Sequence, residues 1–447
     1  MNQACCLRLP QSPDLLAIHS AAPDDWPFLL NSLAGGQRLG RWSMLLRQSG
    51  EVIVHQSVRA GQAAFLQQLR RAVAVERGPA VEKPASAVPF NGGWFLYLGY
   101  ELAAEIEPRL NLPAAEDGLP VAYAARCPGA ILVDHHQQSA WLVAESQSLL
   151  DRMQLEVRAL ANAPTISQPE PFELVLEHDE PEAFKNGVHR IRDWILAGDV
   201  FQVNLSRGWR ASSPSRLDPP AILRALARSN PAPFAGLARL PGGTVISSSP
   251  ERLVSLRDGL VETRPIAGTR PRGATPSQDD DLSSELLAHP KERAEHIMLI
   301  DLERNDLGRV CLNGSVEVDE LMVVESYAHV HHIVSNVRGQ LRPELHPADL
   351  IAAVFPGGTI TGCPKVRCME IIAELEGVGR GFYTGSMGYL GLDGRMDLNI
   401  LIRSMVVSDR QLSFRTGAGI VADSDPAAEL AETEAKARGL LKALGAA

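Results

Sequence analysis

Apolar positions recur at two periods along this chain. Between residues 182 and 197, Phe184, Val188, Ile191, Trp194 and Ile195 fall at helical spacing, and Gly198 supplies a stop. Residues 289–307 read as a second helix, with Ile297, Leu299, Ile300, Leu302 and Leu307 as its apolar side. A last helix is expected over Pro426–Ala443, where Asp425 can cap the N-terminus and Pro426 suits the first helical position. Short apolar or alternating runs at 92–100, 130–134, 201–206, 244–247 and 260–263 predict strands. Residues 162–171 contain three prolines and few large apolar side chains, so they predict a linker or long loop. It separates an N-terminal subdomain, 1–165, from a motif-rich region, 166–447. Strands and helices do not alternate regularly, which favours a mixed α+β fold over a doubly wound parallel sheet.

Composition narrows the class further. At 447 residues, with 45% hydrophobic and 21% charged residues, the chain suits one large core or two to three ordinary ones. A net charge of -10 without a long basic run argues against nucleic acid as partner. No apolar run reaches the ~18 residues of a membrane span. The first ten residues lack a charged segment followed by an apolar one, so a cytoplasmic protein is expected. The six cysteines show no zinc-like pairing and are expected to be reduced, mostly buried thiols.

Several segments carry candidate chemistry. Glu292 with Glu295, and Glu429 with Glu432, are spaced i,i+3 in predicted helices, and Lys436 follows Glu432 at i+4. Two such helices could cage a hard divalent ion such as Mg2+, although solvated helix faces read the same way. Glu251 follows Pro250 at a strand end, where a desolvated carboxyl would have a raised pKa and could protonate a leaving hydroxyl. Residues 264–273 combine Gly268, Thr269 and three arginines, a surface suited to carboxylates or simply a basic loop. Residues 355–365 form a glycine-rich turn entering a helix, with Thr361 and Lys365 as parts of an anion site; the phosphate-loop spacing is absent. Residues 415–421 read as a second glycine turn of that type. His329, His331 and His332 cluster, but alternation places the last two on opposite strand faces, so one functional histidine is a better reading than a metal triad. The inventory suits a Mg2+-dependent elimination or substitution on a small polyanion.

In order, the segments 201–206, 249–252, 265–273, 294–309, 332–339, 355–365, 417–421 and 429–436 resemble the chorismate-utilising enzymes: anthranilate synthase component I, aminodeoxychorismate synthase component I, and the isochorismate and salicylate synthases. The resemblance implies a sandwich of large mixed or antiparallel sheets flanked by helices, acting as one catalytic unit. It assigns Glu295 and Glu432 as Mg2+ ligands, with Glu292 and Glu429 supporting them. Glu251 becomes the general acid for the C4 hydroxyl, with His332 beside the ring and Thr269 near it. Tyr383, Arg403, Lys436, Thr361, Ala267, Gly268 and the Gly417–Ala418–Gly419 backbone become substrate-binding.

Gln202 stands where isochorismate and salicylate synthases carry a water-activating Lys, which implies an amine-transferring member. Gln202-Val203-Asn204-Leu205 and Phe355-Pro356-Gly357-Gly358-Thr359-Ile360-Thr361-Gly362 look like aminodeoxychorismate synthase, whereas Ala267, in Pro-Ile-Ala-Gly-Thr, matches anthranilate synthase. An alanine cannot form the covalent adduct proposed for a lysine there. No glutaminase is recognisable, so ammonia is expected from a separate glutamine amidotransferase subunit. Asn31 stands where related chains often have a Glu that contributes to a tryptophan site, so at most weak tryptophan binding is expected. A non-catalytic regulatory paralogue is the reading from another class, and the full set of acids argues against it.

Overall fold

The computed structural model describes residues 5–33, 40–58, 64–73, 88–160, 172–273, 275–326 and 330–446. The expected linker at 162–171 and His329 lie outside them. The fold is mixed α+β: among the described residues there are a twelve-stranded and a ten-stranded sheet, antiparallel at every pairing, with helices on their outer faces. The side-chain period of two explains the layering. In Phe28–Asn31, Phe28 joins the cluster between the sheets while Leu29 joins the outer one. In Gly93–Leu98, Phe95 and Tyr97 point inward, while Trp94, Leu96 and Leu98 pack under helices of the second sheet. Both faces of these strands are buried, so they read as continuous apolar runs. Phe28 and Phe95 bridge the sheets as a stacked pair with centroids 3.9 Å apart.

Both sheets draw on both ends of the chain. Phe28–Asn31 pairs with Phe234–Leu240 in one, and Gly93–Leu98 pairs with Ser386–Gly391 in the other. The chain also crosses between the sheets at two adjacent places. Gly243–Ser249 belongs to the first sheet and Arg252–Arg257 to the second; Met396–Asn399 belongs to the second and Ser404–Ser408 to the first. The crossings are tied together, with Ile400 N–H donating to Glu251 O at 3.0 Å and Ser248 N–H donating to Arg403 O at 3.1 Å.

Most predicted elements form. The first helix expected, Pro181–Ala197, ends on Gly198 at φ +85°, and Asp425 caps Pro426–Ala443 by accepting from the Ala427 and Ala428 amides. Leu260–Thr263 is a strand as expected. Three readings need correction. Residues 415–420 are not a turn: they lie in the strand Gln411–Ile420, paired along Gln202–Ser212. Ile297 is 45% exposed, because the buried face of Pro290–Gly308 instead includes the polar His296, Glu303 and Asp306. Phe201 is 66% exposed and lies outside the strand Gln202–Ser212, which alternates as expected but is buried on both faces. Val203 and Leu205 pack against Ile371 and Ala418, while Gln202 and Ser206 are buried on the other face. Cys127, Cys311 and Cys368 are buried, Cys6 is exposed, and none of the six is in a disulfide.

Candidate active site

The two crossings bring Glu251 and Arg403 to one place. Glu251 is buried, and its Oε1 accepts the Thr359 hydroxyl at 2.6 Å. Burial pushes its carboxyl up to about 7, against the pull of that hydrogen bond and of the Lys436 ammonium. At neutral pH a large fraction is therefore protonated and able to act as an acid. Arg403 occupies the left-handed region at φ +51°, a conformation that costs a non-glycine residue energy. Its guanidinium has no hydrogen-bond or ion-pair partner among the described residues. Burial pulls its pKa down, while Tyr383 and Glu432 raise it. A half-buried cation without a counterion suits an anionic ligand.

Tyr383 is buried in the turn before Ser386–Gly391, and burial pushes its phenol up to about 12. That turn is built from distant parts of the chain. Glu101, buried and pushed up to about 7 by desolvation, accepts the Arg380 amide at 2.7 Å and the Gly381 amide at 3.1 Å. Asp117 accepts the Phe382 amide at 2.9 Å. The Arg380 guanidinium donates to Glu376 at 2.6 Å, to Asn204 O at 2.6 Å and to Ile360 O at 3.0 Å, and lies over the Tyr383 ring. Glu376 in turn holds Arg415 and the Ser206 hydroxyl, and these cations keep its carboxyl below the usual range despite burial. Nothing in the local pattern of Glu376, Arg380 or Glu101 marks them. Their role follows from packing.

The strands Gln202–Ser212 and Gln411–Ile420 line the same region. A Cβ on Gly417 would come within 2.7 Å of Leu205 O, 2.8 Å of Tyr383 Oη and 2.9 Å of Asn204 Oδ1; one on Gly419 would come within 2.3 Å of Gln202 Nε2. These glycines keep the backbone open where side chains converge. Ala418 between them is buried in the apolar cluster behind the strand. Gln202 Oε1 and Asn204 Oδ1 are buried and have no hydrogen-bond partner among the described residues. Lys436 Nζ donates to Gly417 O at 2.9 Å and pairs with Glu432 at 2.6 Å.

Across the site, Ile266–Pro271 carries Ala267 and Gly268, with Gly268 at φ +61° in a bulge. The Thr269 backbone pairs with His332. His332 is buried, and its Nδ1–H donates to Gly268 O at 3.2 Å. Desolvation lowers it to about 4, so the ring is neutral at physiological pH. His331 faces away, bound to Asp279 at 2.9 Å and Ser326 at 2.8 Å, as the expected alternation requires.

Two readings of the loops change. The arginines at 264–272 are each bound to protein carboxylates: Arg264 to Glu320 and Glu325, Arg270 to Glu285 and Glu292, Arg272 to Asp279. At 355–365, the two side chains expected to complete an anion site are both engaged within the protein. Lys365 binds Asp306 at 2.5 Å, and the fully buried Thr361 donates its hydroxyl to Gly357 O at 2.9 Å, which holds the turn.

The four metal candidates lie on the two expected helices, Pro290–Gly308 and Pro426–Ala443. Among the described residues no cluster of three or more His, Cys, Asp or Glu is arranged to hold a metal. Glu292 pairs with Arg270 at 3.1 Å, and its Oε2 lies 2.8 Å from where a Gly268 Cβ would sit. Glu432 pairs with Lys436, while Glu295 and Glu429 also have interaction partners. In chemistry the set fits a hard cation, since all four donors are carboxylates. The Glu432–Lys436 pair is an exposed i,i+4 contact worth roughly 0.3–0.5 kcal/mol, so an ion could displace it at little cost.

Two cavities lie outside this set. One of about 250 Å3 is lined by Asn31, Trp42, Phe234, Arg252, Met387 and Asp397, between the two sheets. The other, about 350 Å3, is lined by Asn305, Asp306, Arg309, Cys363 and Lys365 among others. No helix of the described residues is long and apolar enough to cross a membrane.

Known proteins show the same pattern. A family model described as chorismate binding enzyme matches residues 27–442. An anthranilate synthase component I-like protein of Synechocystis is 47% identical over 358 residues, covering 80% of this chain and 73% of its own length. Aminodeoxychorismate synthase component 1 of Bacillus subtilis is 42% identical over 365 residues, covering 79% and 77%. Among solved structures, anthranilate synthase component I from Streptococcus pneumoniae TIGR4 superposes with a TM-score of 0.79 at 31% identity, over 90% of this chain and 92% of that one. With the family model matching residues 27–442 and relatives 47% and 42% identical over most of the chain, the chain belongs to the chorismate-binding enzymes.

Proposed function

We propose that this enzyme aminates chorismate with ammonia supplied by a separate glutamine amidotransferase, and that the product is 4-amino-4-deoxychorismate. Gln202 carries the amine reading. Its amide cannot deprotonate water, but its buried, unpartnered Oε1 can accept an N–H of ammonia. The C4 product is supported by the two segments with aminodeoxychorismate synthase character, which act as one unit. Gln202 and Val203 pair with Cys363 and Gly362, and the Asn204 amide donates to Thr361 O at 2.9 Å.

Arg403, Lys436 and the Tyr383 hydroxyl would receive the carboxylates of chorismate, with the open Gly417–Gly419 backbone giving them room. Glu295 and Glu432, supported by Glu292 and Glu429, would hold Mg2+, which supplies positive charge for a substrate carboxylate. Glu251 donates its proton to the C4 oxygen as the C–O bond breaks, so that water leaves rather than hydroxide. Neutral His332 lies beside the ring without adding a further cation.

Anthranilate synthesis is the second reading, favoured by Ala267 and by the relatives of that name. Incubation with chorismate, Mg2+ and ammonium separates the two. We expect 4-aminobenzoate only after aminodeoxychorismate lyase is added. Anthranilate fluorescence without lyase would move the assignment to the second reading.

A further inference from the structure

A second buried carboxyl stands beside the general acid and has no part in the chemistry above. Glu303, on Pro290–Gly308, is 6% exposed, and its Oε1 lies 3.6 Å from the position a Gly358 Cβ would take. The next residue, Thr359, is the one that donates to Glu251. The nearby Glu251 charge pushes the Glu303 carboxyl up further, and the buried Thr263 hydroxyl has no hydrogen-bond partner among the described residues. Asp306 follows at i+3 on the same helix face, binds Lys365 from the Lys365–Glu376 helix, and is influenced by Arg309. Asp306 and Lys365 also line the 350 Å3 cavity, which no candidate substrate-binding side chain lines. The acids thus run Glu251, Glu303, Asp306 from the substrate side to a separate cavity. Lys365 is the cation paired within this row, and Lys436 faces Glu251 from the last helix. Three buried carboxylates beside so few cations would be strongly unfavourable if all were ionised. Burial and the Asp306 charge push Glu303 well above the usual carboxylate range, so it holds a proton at neutral pH.

We propose that Glu303 is a positioning and relay residue, which keeps a second proton beside Glu251 and restores, from the cavity side, the proton that Glu251 gives to the departing hydroxyl. The proposal rests on the chorismate reading. In the step, the Glu251 O–H bond breaks as an O–H bond forms on the C4 oxygen, and water departs with the C–O electron pair. The Glu251 carboxylate takes the Glu303 proton, and Glu303 regains one from cavity water by way of Asp306. Ammonia, once bonded to the ring, releases one proton to solvent. Protons therefore balance over the cycle, and no oxidant or reductant is needed.

The test compares the parent with Glu303→Gln, Glu303→Asp and Asp306→Asn, following loss of chorismate whatever the product. Glu303→Gln should leave the KM for chorismate within about two-fold and lower kcat about ten-fold. The alkaline limb of its kcat profile should move about one pH unit lower, because only one proton remains on the pair. Glu303→Asp should recover part of kcat, and Asp306→Asn should lower it. A folded Glu303→Gln enzyme with the parental kcat and pH limb, or with a change in KM alone, overturns the relay. Infrared spectra of the free protein, taken near neutral pH, provide a readout without turnover. The parent should show one more protonated buried carboxyl band than Glu303→Gln, and equal bands overturn the paired proton. If the parent consumes no chorismate, the functional reading fails and the relay with it, while the infrared comparison still decides the pair.

Discussion

Glu251 illustrates how a functional residue opposes the stability of its own fold. Its folded pKa, about 7, is raised above the ordinary 4.5. A group raised on folding stabilises the native state fully below its unfolded pKa, and that contribution is lost as pH climbs through the folded value. Stability from this residue therefore falls between about pH 4.5 and about pH 7, by on the order of 3 kcal/mol. Glu251→Gln should lower kcat by about 10²–10⁴ through loss of the acid. The same variant should be more stable than the parent by roughly 2–3 kcal/mol near pH 8, and equally stable near pH 4. Urea midpoints across pH check this, and a variant less stable at the alkaline end would contradict the burial account.

At the scale of elements, the Gln411–Ile420 strand shows why glycine was misread as a turn. Turns and close backbone approach both select glycine, and composition does not separate them. Here the approach is across a ladder: the nearest atom to a Gly417 Cβ is the Leu205 carbonyl oxygen, which is backbone and cannot rotate away. Gly417→Ala should raise the KM for chorismate more than about ten-fold and cost roughly 1–3 kcal/mol of stability. Steady-state kinetics with a denaturation curve would check both, and a neutral substitution would show that the strand is not a wall of the site. The Pro290–Gly308 helix was misread for a related reason. Hydrophobic periodicity assumes that buried means apolar, and on this helix the polar His296, Glu303 and Asp306 are buried, His296 on Ser335 and Asp306 on Lys365.

Across the whole molecule, residues before 165 do more than complete the sheets. Glu101 and Asp117 accept three consecutive amides of the turn that presents Tyr383. Glu101→Ala would leave buried N–H groups without partners, at roughly 1–3 kcal/mol each. We expect a less stable enzyme with a raised KM for chorismate, although Glu101 lies outside the set expected to bind substrate. Unchanged kinetics in a folded Glu101→Ala protein would separate the turn from substrate binding.

Sequence alone determined most element types, the mixed α+β class and the family, because apolar periods, caps and ordered motifs are local and survive without coordinates. Glu251 and Lys436 stood in the matched segments, whereas Tyr383 and Arg403 were implied by the resemblance alone. Tertiary structure decided which groups are already committed. Arg270, Arg272 and Lys365 are neutralised by protein carboxylates, whereas Arg403 is not. It also decided that Glu303 sits beside Glu251 and that Glu101 supports the Tyr383 turn. Those facts depend on burial and on charges brought together from distant segments, and desolvation is a property of the packed molecule rather than of any residue type.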